Sequence, residues 1–486
     1  MKTIGNISLC MIVKNETGYL EKALSSASPS LEELIVVDTG SQDDTPEIAS
    51  RFGAKVFPYP WKDDFSSARN FSIAQATRPW ILVMDADEAL SPTDLEKLGI
   101  LTEREDPVAY SLIQRNYLNT SGKLSWDQTW KRNLHDYDEG REFAGYLDIP
   151  VVRMFPRRRE IRYSGCVHES VEDSLAKAGI PIEGSGVVLH HYGQVRSPNQ
   201  MKKKKNLYLR LGLEKLELNP LDPRTHFELG IQYQELGYYA EAIPHFEKAI
   251  RHGIDCGLAE LYLGICTSRL GRFSEARRHL LRSRESRPDS AELHCELGII
   301  SLKENQPEVA KSYFTKAITL SPDHVASLCY LGAILINQEK WSEGTRLLKQ
   351  ALELDPNHQD SWVNLGIAYQ RVEKYSEALE CQRKAYSLTP NQPELARQLG
   401  LGLARSGKYA EAAEVLGRFI QTHSAEDTLK MIWAMTLVRS GQRTEALQVY
   451  REVTEHEGRL ATIAREQLQK LTDSYPAAEK PLHSVD

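Results

Sequence analysis

Glycine recurs every 34 residues through the second half of this chain, at Gly230, Gly264, Gly298, Gly332, Gly366 and Gly400, and the next step falls on Ala434. A second small position keeps the same register at Ala242, Ala276, Ala310, Gly344, Ala378, Ala412 and Ala446. A third reads Ala249, Ser283, Ala317, Ala351 and Ala385 before passing to Phe419 and Val453. A fixed period of this length means one supersecondary unit used many times over. Two antiparallel helices approach closely only where side chains are small, and these positions supply that contact. Pro288, Pro322, Pro356 and Pro390 cannot continue a helix, so each stops one pair before the next begins.

The period and its small positions resemble the tetratricopeptide repeat. They predict an all-α superhelix of seven repeats over 223–457, a capping helix over 458–473 and a flexible tail over 474–486. Such a stack offers a concave face for a peptide or protein; alternatively it only supports or dimerises what precedes it, so a homodimer is one expectation. His245, His279, Cys266 and Cys329 stand singly on helices and read as packing residues.

Composition narrows the class. Among 486 residues, 60 Lys+Arg face 67 Asp+Glu, a net charge of −7, which argues against a dedicated nucleic-acid binder. No window of about 18 uncharged apolar residues exists, so no membrane span is expected. The opening residues run straight into a strand-like segment, without the apolar stretch of a signal peptide. Seven scattered cysteines form no C-x-x-C pair, which disfavours a disulfide framework and a zinc ribbon. A reducing, cytoplasmic setting is the expectation.

Before residue 198 the texture is different. Apolar runs at 7–13, 34–37, 55–57 and 80–84 suit buried strands, and helical stretches at 17–27, 45 onward and 65–76 separate them. Alternating strands and helices predict a largely parallel sheet, with ligands outside the carboxyl ends of its strands. Asp38, Asp85 and Asp87 all fall there. There is no G-x-G-x-x-G after the first strand and no P-loop, so dinucleotide and P-loop nucleotide folds are disfavoured. Asp85 and Asp87 are alternate residues of an extended segment, so both carboxylates can face one site, and paired hard oxygens suit Mg²⁺ or Mn²⁺ with a diphosphate.

Three segments carry a family resemblance: Met11-Ile12-Val13-Lys14-Asn15-Glu16, Val36-Val37-Asp38-Thr39-Gly40-Ser41-Gln42-Asp43-Asp44-Thr45 and Asp85-Ala86-Asp87-Glu88. They resemble the family 2 glycosyltransferases, which have the GT-A (Rossmann-like α/β) fold, use a nucleotide-sugar donor and invert the anomeric centre. Further segments, 61–70, 153–155, 165–169 and 189–193, followed by repeats, resemble the sublancin-type peptide S-glycosyltransferases. The implied organisation is a GT-A domain over 1–197, a connecting helix over 198–222 and the repeat array beyond.

The resemblance implies roles. Glu16 and Asp38 contact the nucleoside end of a donor, with Asp64 and Arg69 on the next loop and helix. Asp85 meets ribose or a metal-bound water, and Asp87 ligates the metal, with His191 as a further ligand and Mn²⁺ or Mg²⁺ as the cofactor. Inversion needs one base on the acceptor; Glu169 is the first choice and His168 the rival. Adjacent His190 would point to the other face of a strand. Trp126, Trp130 and Tyr146 are candidates for sugar stacking or for core packing; Lys202 to Lys205 offer an acidic acceptor or diphosphate a partner but read rather as a solvated helix face.

The expected function is transfer of a UDP-hexose or UDP-N-acetylhexosamine sugar to a peptide or protein recruited with the help of the repeats. Rival readings are transfer to a saccharide or lipid-linked acceptor in surface-glycan assembly, and a repeat scaffold with an inactive transferase-like domain.

Overall fold

The computed structural model describes residues 4–104, 106–119, 130–134, 136–195, 198–423 and 426–473. Trp126 and the expected tail over 474–486 lie outside the described residues. The chain divides into two compact units, Met1–His324 and Val325–Asp486.

The first unit begins with β1 (Ile4–Val13), α1 (Leu20–Ala27), β2 (Leu31–Asp38), α2 (Thr45–Arg51), β3 (Lys55–Pro58), α3 (Phe65–Ala74) and β4 (Trp80–Val83). It continues through β5 (Glu88–Leu90), α4 (Pro92–Leu101), β6 (Ala109–Leu118), β7 (Lys131–Arg132), β8 (Gly145–Pro156), α5 (Glu172–Lys177) and β9 (Ile182–His191). Both faces of the sheet are covered, so β1 reads as a near-continuous apolar run. Leu9 and Met11 pack with Leu20 and Leu24 of α1 on one side, while Cys10 packs with Ile73 and Phe155 on the other. Helix α1 starts three residues later than its sequence pattern indicates, because the Glu16 carbonyl accepts the Tyr19 and Leu20 N–H groups in a preceding turn.

Strand order is β3-β2-β1-β4-β8-β6-β9-β5, with β7 on the end of β8. The expectation of a largely parallel sheet holds for β3, β2, β1 and β4 and fails beyond them. Strand β8 runs antiparallel to both β4 and β6, β9 is parallel to β6, and β5 is antiparallel to β9. Among the described residues no α-helix lies between β6 and β8, and the two strands pair antiparallel. Register sets the site: Val13 pairs with Asp38, so β1 and β2 end together. On the mixed side His191 lies opposite Asn116 of β6 and Glu88 of β5.

Helix α6 (Pro198–Leu218) leads into α7 (Pro223–Glu235), α8 (Tyr239–Arg251), α9 (Cys256–Arg269), α10 (Phe273–Ser286), α11 (Ala291–Lys303) and α12 (Pro307–Leu320). Asp222 caps α7 by accepting from Thr225 N–H, with Pro223 at the first helical position. The predicted close approach is present. A Cβ on Gly230 would lie 2.6 Å from a Phe246 ring carbon, and one on Gly298 would lie 2.6 Å from Phe314.

The second unit continues the pattern as α13 (Val325–Asn337), α14 (Trp341–Leu354), α15 (Gln359–Arg371), α16 (Tyr375–Leu388), α17 (Pro393–Arg405) and α18 (Tyr409–Thr422). Helices α19 (Asp427–Arg439), α20 (Arg443–Thr454) and α21 (Arg459–Asp473) complete it. Among the described residues, no helix is long and apolar enough to cross a membrane.

Candidate active site

A cavity of about 360 Å³ opens where β1, β2 and β4 end. Val13 lines it at the end of β1 and Glu16 after it, Thr39 after β2, Asp85 to Asp87 after β4, and Arg69 from α3. Glu169 and His191 enter from the mixed side of the sheet, and Lys203, Lys204, Leu207 and Tyr208 from α6.

The carboxylates divide into two kinds. Asp85 accepts from Arg69 Nη2 at 2.6 Å through one oxygen and from Arg153 Nη2 at 2.8 Å through the other. Burial works against the charged form, but the guanidinium groups of Arg153 and Arg69 outweigh it and hold Asp85 well below the ordinary carboxylate range. Arg153 also reaches Glu88 Oε1 at 3.3 Å, and Glu88 accepts from Gln114 Nε2 at 2.5 Å and from Asp85 N–H at 2.7 Å. Both oxygens of Asp85 are therefore engaged by the protein itself. Asp87 is different: it stands 3.4 Å from His191 Nε2, and Asp87 raises the His191 pKa against the effect of burial.

Asn116 fixes the histidine. Its Nδ2 donates to the Gln114 and Leu147 carbonyls at 3.2 and 3.4 Å, which turns Oδ1 toward His191 Nδ1 at 2.5 Å. Nδ1 must then carry the proton and donate, leaving Nε2 on the Asp87 side. Gly193 keeps that space open, since a Cβ there would stand 2.5 Å from His191 Nε2 and 2.7 Å from Asp87 Oδ2. A carboxylate oxygen and an imidazole nitrogen with clear space beside them fit a divalent cation. Among the described residues, no group of three His, Cys, Asp or Glu gathers to hold a metal. A cation here would take its remaining ligands from substrate oxygens and water, as Mg²⁺ commonly does.

Arg69 links the two sides of the cavity. Its Nε donates to Glu169 Oε1 at 2.5 Å while its Nη2 holds Asp85. The side chain is buried, and among the described residues its Nη1 finds no partner. A buried donor without a partner is costly, so a ligand oxygen at this position would be bound strongly.

Several sequence expectations meet a different geometry. Asp38 ends β2 but does not line the cavity; its oxygens accept from Ser41 N–H at 3.1 Å, from Ser41 Oγ and from Gly40 N–H. Asp64 is the N-cap of α3 and accepts from Ser67 N–H at 3.0 Å and from two serine hydroxyls. His168 does not line the cavity either. Its ring meets Tyr208 edge-on at 5.6 Å and lies 3.1 Å from the Gln232 amide, and burial lowers its pKa. His190 points the other way from His191, as strand alternation requires, with Nδ1 2.7 Å from the Tyr117 hydroxyl. Trp130 and Tyr146 are packing residues: Trp130 fills the space over Gly145, and the Arg115 guanidinium stacks on Tyr146 at 3.8 Å.

Three residues of the site carry no assignment from sequence: Arg153, Glu88 and Asn116. Arg153 and Glu88 stood inside quoted segments, yet pairing of β4 with β8 is what brings Arg153 to Asp85. Asn116 gave no signal, because its role depends on the parallel pairing of β6 with β9. Lys203 and Lys204, read as a solvated face, line the cavity.

Residues 8–162 match the Glycosyl transferase family 2 description, and residues 223–253 and 270–459 match tetratricopeptide repeat families. The chain thus joins a family 2 glycosyltransferase domain to a tetratricopeptide array. Its particular relatives include a TPR repeat-containing protein of Synechococcus elongatus, 36% identical over 172 residues, covering 35% of this chain and 37% of that one. The SPbeta prophage-derived glycosyltransferase SunS of Bacillus subtilis is 28% identical over 249 residues, covering 51% of this chain and 53% of that one. The chain therefore spans about a third to a half of the length of these relatives. Among solved structures, Pseudomonas aeruginosa pilF aligns with a TM-score of 0.39 at 22% identity, covering 44% of this chain and 97% of that one.

Proposed function

We propose that this protein is a metal-dependent inverting glycosyltransferase. It moves a hexosyl or N-acetylhexosaminyl group from a uridine diphosphate sugar to a peptide or protein acceptor that the repeats help recruit. The observation that carries this reading is the division of labour around Arg69. One arm holds Asp85, the other holds Glu169, and Asp87 and His191 stand side by side in the lining of the same cavity.

Glu16 and Thr39 line the end of the cavity at β1 and β2, where the nucleoside would lie. Asp38 and Asp64 act by holding the loops beneath it. Lys203, Lys204 and the unpaired Nη1 of Arg69 give the diphosphate cationic and hydrogen-bonding partners. Asp87 and His191 would hold a divalent cation, Mn²⁺ or Mg²⁺, whose Lewis acidity would neutralise charge on the leaving diphosphate. Asn116 keeps Nε2 of His191 directed at that position.

Glu169 is the base. Arg69 occupies Oε1, so Oε2 takes the proton of an acceptor hydroxyl or thiol as its heteroatom attacks the anomeric carbon. The bond from that carbon to the diphosphate oxygen breaks on the opposite face, and the configuration inverts. The cysteines are free thiols, which fits the reducing setting of the cytoplasm.

The test is calorimetric titration of uridine diphosphate with and without Mn²⁺. Binding is expected to require the metal and to disappear in Asp87→Ala and His191→Ala. Metal-independent binding, or binding that survives both substitutions, contradicts the reading.

A further inference from the structure

The loop that carries Glu169 is held from two directions. Ser164 and Ser170 exchange backbone hydrogen bonds at 2.9 and 3.0 Å, closing a short hairpin with 165–169 at its tip. Toward α3, Phe65 N–H donates to the Cys166 carbonyl at 3.0 Å, and Arg69 holds Glu169. Toward α6, Cys166 Sγ lies 3.7 Å from the Leu211 carbonyl, and Tyr208 meets the His168 ring. The tip also reaches past α6. His168 Nε2 lies 3.1 Å from Nε2 of Gln232, on the first helix of the repeat array.

His168 holds a backbone conformation that a non-glycine residue seldom takes, with φ at 51°. Such a conformation persists only where its surroundings over-determine it. Here the surroundings are visible: Tyr208 on one side and Gln232 on the other. The turn at His168 sends its ring toward the repeats and the next side chain, Glu169, back to Arg69. Helix α7 is a firm anchor for this. Lys215 of α6 pairs with buried Glu228 at 3.1 Å, and Gly212 lets α6 close on Leu229. Arg210 of α6 in turn pairs with Asp63, in the loop before α3, at 2.7 Å.

We propose that His168 is a positioning residue that keys the Glu169 loop to the first repeat, so the transferase site is complete only with Gln232 in place. This rests on the reading of Glu169 as the base. The first repeat then does more than recruit: it sets the direction of the carboxylate that activates the acceptor. Donor binding, which uses the opposite wall of the cavity, does not depend on it.

The experiment compares full-length wild type, Gln232→Ala, Gln232→Glu and Glu169→Gln, with far-ultraviolet circular dichroism to establish folding. In wild type the Gln232 amide donates to the ring; Gln232→Glu keeps the side-chain length and offers an acceptor to a ring that carries its proton on Nε2, so it serves as the conservative rescue. In Gln232→Ala, hydrogen exchange of the 165–170 amides is expected to accelerate, while metal-dependent uridine diphosphate binding stays at the wild-type value. Donor turnover should fall about 10- to 100-fold, the cost of misplacing a reacting group by an ångström or less. The same substitution should cost nothing further in a Glu169→Gln background. Unchanged exchange in Gln232→Ala overturns the proposal, as does a turnover loss that persists in full without Glu169. If the wild type bound no nucleotide, the transferase reading would fall on its own, and the exchange measurement would still decide whether Gln232 holds the loop.

Discussion

In the repeat array, glycine makes room for a neighbour to pack; beside the cavity, glycine keeps a neighbour from being covered. Gly298 admits the Phe314 ring, and Gly332 admits Leu348 in the same way. Gly193 admits His191 Nε2 and Asp87 Oδ2, which a Cβ would meet at 2.5 and 2.7 Å, and leaves both side chains in the lining of the cavity. Buried charge shows the same difference. In the repeats, Glu296 accepts from Arg269 at 2.6 and 3.0 Å and the pair closes on itself. In the N-terminal domain, Arg69 binds two carboxylates, and among the described residues its Nη1 has no partner. Among the described residues the repeats also leave buried polar atoms without a partner, at Gln382 Oε1 and Trp433 Nε1; Arg69 differs in that its spare donor belongs to a charged group lining the cavity.

The largest effect should come from the charge network. Arg153→Met strips a buried partner from Asp85 and Glu88 together, which should cost about 3–5 kcal/mol in chemical denaturation. Arg269→Met should cost less, because Arg269 is 38% exposed and water can reach the carboxylate it leaves behind. Equal losses would erase the distinction between the two regions.

Acid should act next. Burial alone would raise the Glu33 carboxyl, but hydrogen bonds from Ser8, Thr77 and Lys55 outweigh it and hold it at about 2. Its folded pKa lies below its unfolded value of 4.5, so the stabilisation is complete above pH 4.5 and is lost as pH falls toward 2. Glu33→Gln should flatten stability against pH across that window. A slope unchanged from wild type would contradict this.

Within the repeats, the glycines are not equivalent. Gly298→Ala forces a Cβ against the Phe314 ring and should cost about 1–3 kcal/mol. A Cβ on Gly366 would meet nothing nearer than 3.4 Å. Gly366→Ala should therefore be neutral or stabilise by about 0.5–1 kcal/mol, through the unfolded chain. Melting temperatures of the two variants, moving in opposite directions, would show that the period records packing at some steps and only helix phase at others.

That distinction also explains what could be read in advance. The array was legible because the same contact recurs every 34 residues, from Gly230 to Gly400. Strands β1 to β4 were legible as apolar runs, and Asp85-x-Asp87 as acids at a strand end. Trp130 and Tyr146 were ambiguous because an aromatic ring serves a core and a sugar equally well. Arg153 and Asn116 lie on β8 and β6, and only the pairing of those strands with β4 and β9 brings them to the site. The roles of Asp38 and Asp64 shifted because short polar loops consume carboxylates locally, as the hydrogen bonds from Ser41 and Ser67 show. Residue type does not reveal which acid a loop consumes and which one lines the cavity.

The central claim is that Asp87 and His191 hold the donor end of a transferase site and Glu169 activates the acceptor. Its most direct test is release of nucleoside diphosphate from a panel of nucleotide sugars with Mn²⁺ or Mg²⁺, in wild type, Asp87→Ala and Glu169→Gln. The account predicts metal-dependent release from one donor class. That release should vanish in Asp87→Ala and fall in Glu169→Gln, which should nevertheless bind the nucleotide as wild type does. Release that is indifferent to metal and to Asp87, or no donor turnover together with no nucleotide binding, would contradict it.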